Sequence, residues 1–326
     1  MSKKLNNGNQ KYALIYNPHA GMKRRILPNP TATSLEDIKH LLEQYQIIFD
    51  EYPTKYAGHT TELAKELSQK YDTILVAGGD GTVGEAANGL VGTETTLGIL
   101  PLGSFMNVAR MLSIPLDIEK AVLLIKLGRT RKIDVGMVVV LSGEKLQQPY
   151  YFLESAGIGL EAQLHEYSTS LEKGDLKALW KIFRTLFDYY GYRAKIIIDG
   201  REIKTKSTLV NVSNGPYSGA AIQMAPKAKL NDHKLTISLF HMNKWELLNH
   251  FLTITRSKKR YNRKIETHQG KIVKIETKVK RLVHADARLY GETPVEFSIL
   301  PNALNIISGF PAPGNSALIK RTYLDP

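Results

Sequence analysis

The sequence contains no cysteine, and it contains no apolar run long enough to cross a bilayer. Without a thiol among its 326 residues, the chain can form neither a disulfide nor a thiolate metal site. A membrane-spanning helix needs roughly 20 consecutive apolar residues, and no stretch approaches that length. The first ten residues also lack the apolar core of a secretory signal. We therefore expect a cytoplasmic protein that is either soluble or peripheral to a membrane.

Positive charge, in contrast, is in excess. Lysine and arginine number 44 against 31 aspartates and glutamates, which gives a formal net charge of +13. This excess favours anionic partners, namely nucleotides, nucleic acid or anionic lipid headgroups. A dense basic segment from Arg256 to Lys264 suits either membrane phosphates or a solvated turn. No recognisable RNA- or DNA-binding module accompanies it, so we expect peripheral contact with anionic lipids and no nucleic-acid partner, and we leave a homodimer open.

Residues 1–133 alternate short apolar strands with amphipathic helices. Asp72–Ala77 is continuous and apolar, as in a parallel sheet covered on both faces. Ser34 and Asp37 have the spacing of a capping box at a helix start. The alternation predicts an α/β domain with a doubly wound open sheet. Its predicted strands are Tyr12–Tyr16, Ile47–Phe49, Asp72–Ala77 and Thr96–Leu100, and its helices begin near Ser34, after Thr60, after Thr82, near Met106 and at Ile118.

Residues 134–304 are dominated by strand patterns separated by turn residues. Only two helices are predicted among them, Asp175–Tyr190 and Trp245–Arg256. The pattern predicts a second, β-rich domain with a sandwich-like or curled sheet. Its predicted strands are Val135–Leu141, Tyr150–Leu153, Lys195–Ile198, Thr208–Val212, Leu235–Phe240, Ile272–Glu276, Arg281–Ala285 and Val295–Leu300.

The most informative motif is a glycine-rich turn between the third strand and the next helix, Gly78-Gly79-Asp80-Gly81-Thr82. Glycines let the backbone turn sharply and leave N–H groups free of side-chain cover. Such amides at a helix N-terminus bind phosphate oxygens. Asp80 adds a carboxylate where a phosphate-bound magnesium ion would sit, and Thr82 adds a hydroxyl. The alternative is an ordinary glycine-rich turn in which Asp80 caps the helix.

Two segments, GGDGTVGEAANGL and the downstream PLGSFMNVAR, resemble the diacylglycerol kinase catalytic family, which also includes the sphingosine kinases. Further similarities occur in the same order along the chain. Asn17–Gly21 resembles the family's turn after the first strand, and Thr54 resembles the threonine before the second helix. The stretches Tyr217–Leu235 and Thr293–Leu304 resemble segments of its C-terminal domain.

The resemblance implies transfer of the γ-phosphate of ATP, with Mg²⁺, to a lipid hydroxyl presented by a membrane. Diacylglycerol is the expected acceptor, and a sphingoid-type or other lipid alcohol is the alternative. It also implies that ATP binds between the two domains and that the final strand returns to the first domain, which residues 305–326 would complete. The residues implied in nucleotide binding are Asn17, Pro18, His19, Ala20, Gly21, Thr54, Gly78, Gly79, Asp80, Gly81, Thr82, Val83, Gly84, Glu85 and Ser104.

Three positions in this chain differ from the family's pattern, the least of them Gly84, which stands where the family has an asparagine before the motif glutamate. Asn107 stands where the family has an aspartate, and Arg288 stands where it has the glutamate often assigned as proton acceptor. Arginine cannot accept a proton, so we predict that Asp286 takes this role and that Asp80 assists catalysis. The alternatives are that Asp286 is a turn residue and that the protein binds nucleotide or lipid without catalysis.

Two further features bear on metal and membrane binding. Asp232, with the carbonyls of Lys229 and Lys234, is predicted to hold a structural magnesium ion, and a plain β-turn is the alternative. An aromatic stripe with interspersed lysines and arginine could be a lipid-entry surface or a core-facing helix. The stripe consists of Leu176, Leu179, Trp180, Phe183, Leu186, Phe187 and Tyr190.

Overall fold

The computed structural model describes most of the chain, in two compact units. Unit 1 comprises Met1–Ile133 with Ala303–Pro326, and unit 2 comprises Asp134–Asn302. Among the described residues, no helix has the length and apolar character needed to cross a membrane. The described residues are 11–18, 34–141, 148–160, 191–219, 222–243, 245–247, 249–250, 262–286 and 288–309, with single positions at 162, 177, 180, 181, 184 and 185.

Unit 1 contains a parallel sheet in the order β2-β1-β3-β4-β16. The middle strand β3 is buried along its whole length, as expected for a strand covered on both faces. The predicted open α/β architecture is therefore confirmed. The strands are β1 (Tyr12–Tyr16), β2 (Phe49–Pro53), β3 (Thr73–Gly78) and β4 (Thr96–Pro101), joined by the C-terminal part of β16 (Val295–Ile307).

Two helices of unit 1 begin beside capping side chains. The capping box of Ser34 and Asp37 is present at the start of α1, with the Asp37 amide 3.1 Å from Ser34 Oγ. Asp117 caps α5 by accepting a hydrogen bond from the Lys120 amide. Both caps satisfy amides that the first helical turn leaves free. The helices are α1 (Leu35–Gln44), α2 (His59–Leu67), α3 (Asp80–Leu90), α4 (Asn107–Met111) and α5 (Ile118–Leu127).

Strand β2 begins at Phe49, so the predicted strand Ile47–Phe49 is wrong in position. The reason lies at the end of α1, where the Ile47 amide donates to the Leu42 carbonyl and the Ile47 side chain is buried. Gln46 adopts φ 56° to make this turn. The apolar run therefore closes the helix, and the polar residues after it pair with β1.

Unit 2 consists of antiparallel strands in two layers that share one hydrophobic core, as the sandwich prediction requires. One layer has the order β12-β11-β10-β7-β14-β15, and the other contains β16-β13-β8-β9, with β5 and β6 also paired. Phe152 and Phe297 meet edge to face in the core. The strands are β5 (Thr130–Val140), β6 (Tyr150–Phe152), β7 (Ser155–Gly159), β8 (Tyr192–Ile198), β9 (Arg201–Ser207), β10 (Leu209–Ser213), β11 (Leu235–Phe240), β12 (Ile265–Gly270), β13 (Ile272–Thr277), β14 (Leu282–Ala285) and β15 (Arg288–Glu292).

Strand β16 is shared between the units. Its first residues pair antiparallel with β13 in unit 2, and Asn305 and Ile306 pair parallel with β4 in unit 1. Leu304, Ile306 and Ile307 are buried. The predicted strand Val295–Leu300 therefore continues to Ile307, and its end belongs to unit 1.

Candidate active site

The glycine-rich motif forms the junction between β3 and α3. The sequence suggests a loop from Gly78 to Thr82, but α3 already begins at Asp80, with Gly79 as its N-cap. Within the described residues no side chain caps this helix. The first-turn amides of Asp80, Gly81 and Thr82 have no partner within the helix, because the carbonyls four residues before them belong to β3. The arrangement is an uncapped helix N-terminus of the kind that binds phosphate.

Glycine is required at these positions because the backbone is crowded where the turn after β4 meets the turn after β3. A β-carbon on Gly103 would lie 2.7 Å from Gly79 Cα and 2.6 Å from Met106 Sδ. A β-carbon on Gly78 would lie 2.7 Å from Thr82 Cβ. The Gly103 amide donates to Met106 Sδ at 3.1 Å, a contact within the turn between β4 and α4. Ser104 is exposed on this second turn.

Asp80 does not cap α3, contrary to the alternative drawn from the sequence. Its carboxylate accepts a hydrogen bond from the Val108 amide at 3.1 Å, at the start of α4. Desolvation by burial raises the pKa of Asp80, and hydrogen bonds from the backbone of Val108, Asn107 and Met106 partly oppose this rise. Asp80 thus ties the two turns together, and Asn107 lies buried beside it.

Glu85 faces the start of α2. Its Oε1 accepts the Gly58 amide at 3.0 Å, and its carbonyl accepts the Thr61 hydroxyl at 2.9 Å. Gly58 has φ 90°, a backbone conformation that favours glycine. The Thr54 amide donates to the Tyr16 carbonyl, which fixes the turn between β2 and α2 to the end of β1. Glu85 therefore positions the turn that contains Thr54.

The remaining predicted nucleotide-binding residues differ in their access to a ligand. Val83 is wrong as a contact residue, because its side chain is fully buried and its amide donates to the Gly79 carbonyl. Gly84 is likewise buried within α3. Asn17 and Pro18 are exposed after β1. His19, Ala20 and Gly21 lie outside the described residues.

In unit 2, Asp286 is held by a row of backbone amides. Its Oδ2 accepts the Leu153 amide at 2.8 Å, and its Oδ1 accepts those of Glu154 and Ser155 at 2.9 and 3.2 Å. The Asp286 amide donates back to the Ser155 carbonyl, and the residue has φ 46°. The turn-residue alternative therefore describes this contact well, since the carboxylate accepts three backbone amides.

A buried polar network that sequence reasoning missed supports the same turn. Asn214 Nδ2 donates to the carbonyls of Asp134 and Leu153, and the Asn214 amide donates to the Glu154 carbonyl. The fully buried Asp134 carboxylate accepts the amide of His233 at 2.7 Å and contacts His233 Nδ1 at 2.9 Å. Asp134 precedes an apolar run without any motif around it, so only its burial reveals its importance.

Comparison with known proteins assigns a domain family to each unit. The diacylglycerol kinase catalytic domain profile matches residues 11–138. The profile described as the YegS C-terminal NAD kinase beta sandwich-like domain matches residues 154–308. The chain belongs to the diacylglycerol kinase family. Members of this family are ATP-dependent lipid kinases, and the chain is therefore a kinase of this class.

Relatives of the kinase resemble it along nearly its whole length. A diacylglycerol kinase of Staphylococcus saprophyticus is 25% identical over 303 residues, which cover 90% of this chain and 94% of that protein. One from Staphylococcus aureus is 25% identical over 96% of both chains. The crystal structure of a diacylglycerol kinase from Bacillus anthracis covers 92% of this chain, and 97% of its own chain is matched, with 25% identity and a TM-score of 0.69.

The residues predicted to bind a structural magnesium ion form a turn in this kinase. Asp232 Oδ1 accepts the Lys234 amide at 3.2 Å, which is the hydrogen bond of an Asx-turn, and the β-turn alternative accounts for it. Lys229 and Lys234 are exposed. In the part of the chain that the structure describes, no group of three His, Asp or Glu side chains is placed to hold a metal ion. Asp80 and Asp232 are each the single carboxylate of their turn, and each already accepts a backbone amide.

The structure describes only parts of the two sequence features related to membranes, which are the aromatic stripe and the basic segment. Trp180 has 66% of its surface exposed, and Lys177, Lys181 and Arg184 are exposed around it. The core-facing interpretation is therefore wrong for Trp180. In the basic segment, Lys264 pairs with Glu246 at 2.6 Å and Arg263 is exposed. Leu176, Leu179, Phe183, Leu186, Phe187, Tyr190 and the positions from Arg256 to Arg260 lie outside the described residues.

Proposed function

We propose that this kinase transfers the γ-phosphate of ATP to the hydroxyl of diacylglycerol at a membrane surface. The observation that carries the proposal is the uncapped N-terminus of α3 behind Gly79, where first-turn amides are available to phosphate oxygens. The relatives in Staphylococcus and Bacillus, which are named diacylglycerol kinase, support the choice of acceptor. A sphingoid-type or other lipid alcohol is the second candidate acceptor.

The N-terminus of α3 would bind the triphosphate by hydrogen bonds and by the helix dipole. Phosphoryl transfer depends mainly on positioning and on stabilising the charge of the transferring group, which fixed amides supply without reorganising. Asp80 would act as a positioning residue, because its carboxylate holds the start of α4 beside these amides. Thr82, Ser104, Thr54 and Asn17 are proposed to complete the nucleotide site.

Magnesium is proposed to reach the site bound to the nucleotide. Mg²⁺ keeps several waters and usually takes one or two carboxylates together with substrate phosphates, so a dedicated cage of protein ligands is not needed. When bound, it neutralises charge on the phosphates. Asp80 keeps its positioning role in this proposal, because its carboxylate already accepts an amide of α4.

Asp286 is proposed to orient the acceptor hydroxyl. Three backbone amides fix the orientation of its carboxylate, and a carboxylate oxygen held in this way can also accept a hydrogen bond from the acceptor hydroxyl. A strong base is not required, because the transition state of phosphoryl transfer is loose. Arg288 is exposed and lies over the Tyr150 ring, with Cζ 5.7 Å from its centroid, so it is available to anionic groups.

The test is transfer of labelled phosphate from ATP with magnesium to a panel of lipids in neutral detergent micelles. The panel contains diacylglycerol, monoacylglycerol and a sphingoid base. We expect phosphorylation of diacylglycerol and its loss in Asp80→Ala. The matched control is Asp232→Ala. This variant also removes one turn carboxylate that accepts a backbone amide, but from unit 2, and it should retain activity. Faster transfer to the sphingoid base would favour the second acceptor, and ATP binding without any transfer would contradict the proposal.

A further inference from the structure

One face of the sheet in unit 2 places positive side chains directly opposite each other. In the register of β8 and β9, Arg193 pairs with Lys206 and Lys195 pairs with Lys204. The alternate residues of β8, such as Ala194 and Ile196, are buried in the core. The four cations therefore lie on the outward face, because side chains alternate between the faces of a strand.

These cations line a groove of about 620 Å³ together with Lys278 and Glu276. Lys195 contacts Glu202 and Glu276 at 3.3 and 3.7 Å, and Lys204 contacts Glu202 at 3.3 Å. Across the described part of the chain, no carboxylate lies within ion-pair distance of Arg193, Lys206 or Lys278. Like charges directly opposite each other destabilise a sheet. An anion bound in the groove would therefore reduce the repulsion between these cations.

Protection of the sheet edge explains only part of this pattern. Strand β9 lies at the end of its sheet, and lysines on an edge strand discourage pairing with other chains. That role accounts for Lys204 and Lys206. It does not account for Arg193, which is on β8 between β9 and β13, or for Lys278, which directly follows β13.

An apolar tip next to the groove indicates what kind of anion would bind. Val279 follows Lys278, precedes Lys280 and has 65% of its surface exposed. Its carbonyl accepts the Thr277 hydroxyl at 2.8 Å, which holds the turn. An exposed aliphatic side chain between two lysines suits the boundary between lipid headgroups and acyl chains. A nucleic acid would use the cations but would gain little from the valine.

We propose that the groove of Arg193, Lys195, Lys204, Lys206 and Lys278, with Val279 at its end, is the surface by which the kinase binds anionic membranes. The proposal rests on the proposed function, since a lipid kinase must reach a membrane to meet its acceptor. Anionic headgroups would occupy the groove, and Val279 would enter the upper acyl region. The surface is separate from the residues to which we assign phosphoryl transfer.

The test measures co-sedimentation of the full chain with vesicles of phosphatidylglycerol and phosphatidylcholine in equal parts. Because each cation near an anionic leaflet contributes a similar increment, Arg193→Glu with Lys206→Glu should lower the partition coefficient at least roughly 30-fold. The matched control is Lys65→Glu on α2 with Lys70→Glu in the turn after it, which changes net charge equally at exposed positions and should have little effect. Raising the salt concentration should weaken binding of the parent protein and of the control alike.

Two further variants keep the outcome interpretable. If the double glutamate variant does not fold, Arg193→Gln with Lys206→Gln removes the same cations without reversing charge, and a drop of roughly 30-fold is expected. Val279→Ser should weaken vesicle binding severalfold at low and at high salt, because it removes apolar insertion only. Equal vesicle binding by parent, groove variant and control would overturn the proposal.

Kinase activity on neutral micelles separates this proposal from the proposed function. The groove variants should phosphorylate diacylglycerol in neutral micelles at the parental rate, because no anionic surface is involved. A parent protein that binds vesicles through the groove but has no kinase activity would reject the function and keep the surface. Binding of duplex DNA by the parent protein and the groove variant is compared by gel retardation. A groove variant that loses DNA binding but keeps vesicle binding would assign the groove to nucleic acid.

Discussion

At the scale of single residues, the close contact of Gly79 and Gly103 decides whether the α3 amides are accessible. We expect Gly103→Ala to cost about 1–3 kcal/mol of stability and to weaken ATP binding, because the added carbon would overlap the Gly79 backbone. Gly81→Ala is the matched control for stability, since its added carbon would meet no described atom within 4 Å. Urea unfolding and ATP titration of both variants measure the two effects.

Gly81→Ala also tests the amides themselves. Alanine is favoured over glycine within a helix by up to about 1 kcal/mol, so the variant should be at least as stable as the parent. Its methyl group would nevertheless lie beside the first-turn amides and should lower ATP affinity. Unchanged ATP affinity in this variant would show that the nucleotide is bound elsewhere.

Asp80 should make the free energy of unfolding of the kinase depend on pH. Its folded-state pKa lies above the ordinary value of 3.8, mainly because burial disfavours the charged form. The folded state then holds the proton more tightly, and the contribution of Asp80 to stability decreases as pH rises from about 3.8 through the raised pKa. Asp80→Asn removes this contribution. The difference in unfolding free energy between parent and variant should therefore fall across that window, and a constant or rising difference would contradict the assignment.

At the scale of elements, Asp286 and Asp199 offer a matched pair of turn aspartates. Asp199 also has a positive φ, 47°, and accepts the amides of Lys271 and Ile272, but it has no proposed role in transfer. Asparagine tolerates this backbone conformation. Each Asp→Asn change should cost about 1–3 kcal/mol, since an amide group then faces backbone N–H donors.

Activity should separate the two variants. We expect Asp286→Asn to reduce phosphoryl transfer at least roughly a hundredfold, while Asp199→Asn retains it. The assay is run at a temperature at which urea unfolding shows both variants to be folded. Equal activity of both variants would leave Asp286 with a purely structural role.

The elements that could be predicted from sequence are those whose signals are local. Strand β11 and helix α5 have the predicted bounds, because an apolar run and a capping aspartate define them. Strands β9 and β12 were missed, because they consist mainly of polar and charged residues that carry no apolar signal. The small residues of β7 hide a fully buried strand. Its pairing with β10 and β14 depends on distant parts of the chain.

The candidate site was predictable to a similar extent. The glycine-rich motif identified the phosphate-binding turn, because glycine content and position are local properties. The contact of Asp80 with Val108 and the amides around Asp286 join residues far apart in sequence, so no spacing rule reveals them. For the same reason Asp134 was missed.

At the scale of the whole molecule, the end of β16 is an essential part of unit 1. Ending the chain after Asn302 would remove the buried side chains of Leu304, Ile306 and Ile307. Each contributes roughly 1.5–3 kcal/mol, and the sum is comparable with the total stability of an ordinary domain. We expect this truncation to leave unit 1 unfolded and susceptible to limited proteolysis.

A chain that ends after Gly309 is the control for this truncation. It keeps the pairing of β16 with β4 and the hydrogen bonds from Ser308 to Arg129 and from Gly309 to Leu112. Unit 1 should then resist proteolysis as the full chain does. Resistance of the shorter chain would mean that β16 is dispensable for unit 1.

The divided strand also sets an order for synthesis on the ribosome. The first 133 residues emerge before unit 2, but the strand that completes their sheet is translated after all of unit 2. While unit 2 is being translated, the nascent unit 1 therefore exposes the edge of β4. Nucleotide binding should begin only after the whole of unit 2 has been made, which ties the onset of activity to synthesis of the second domain.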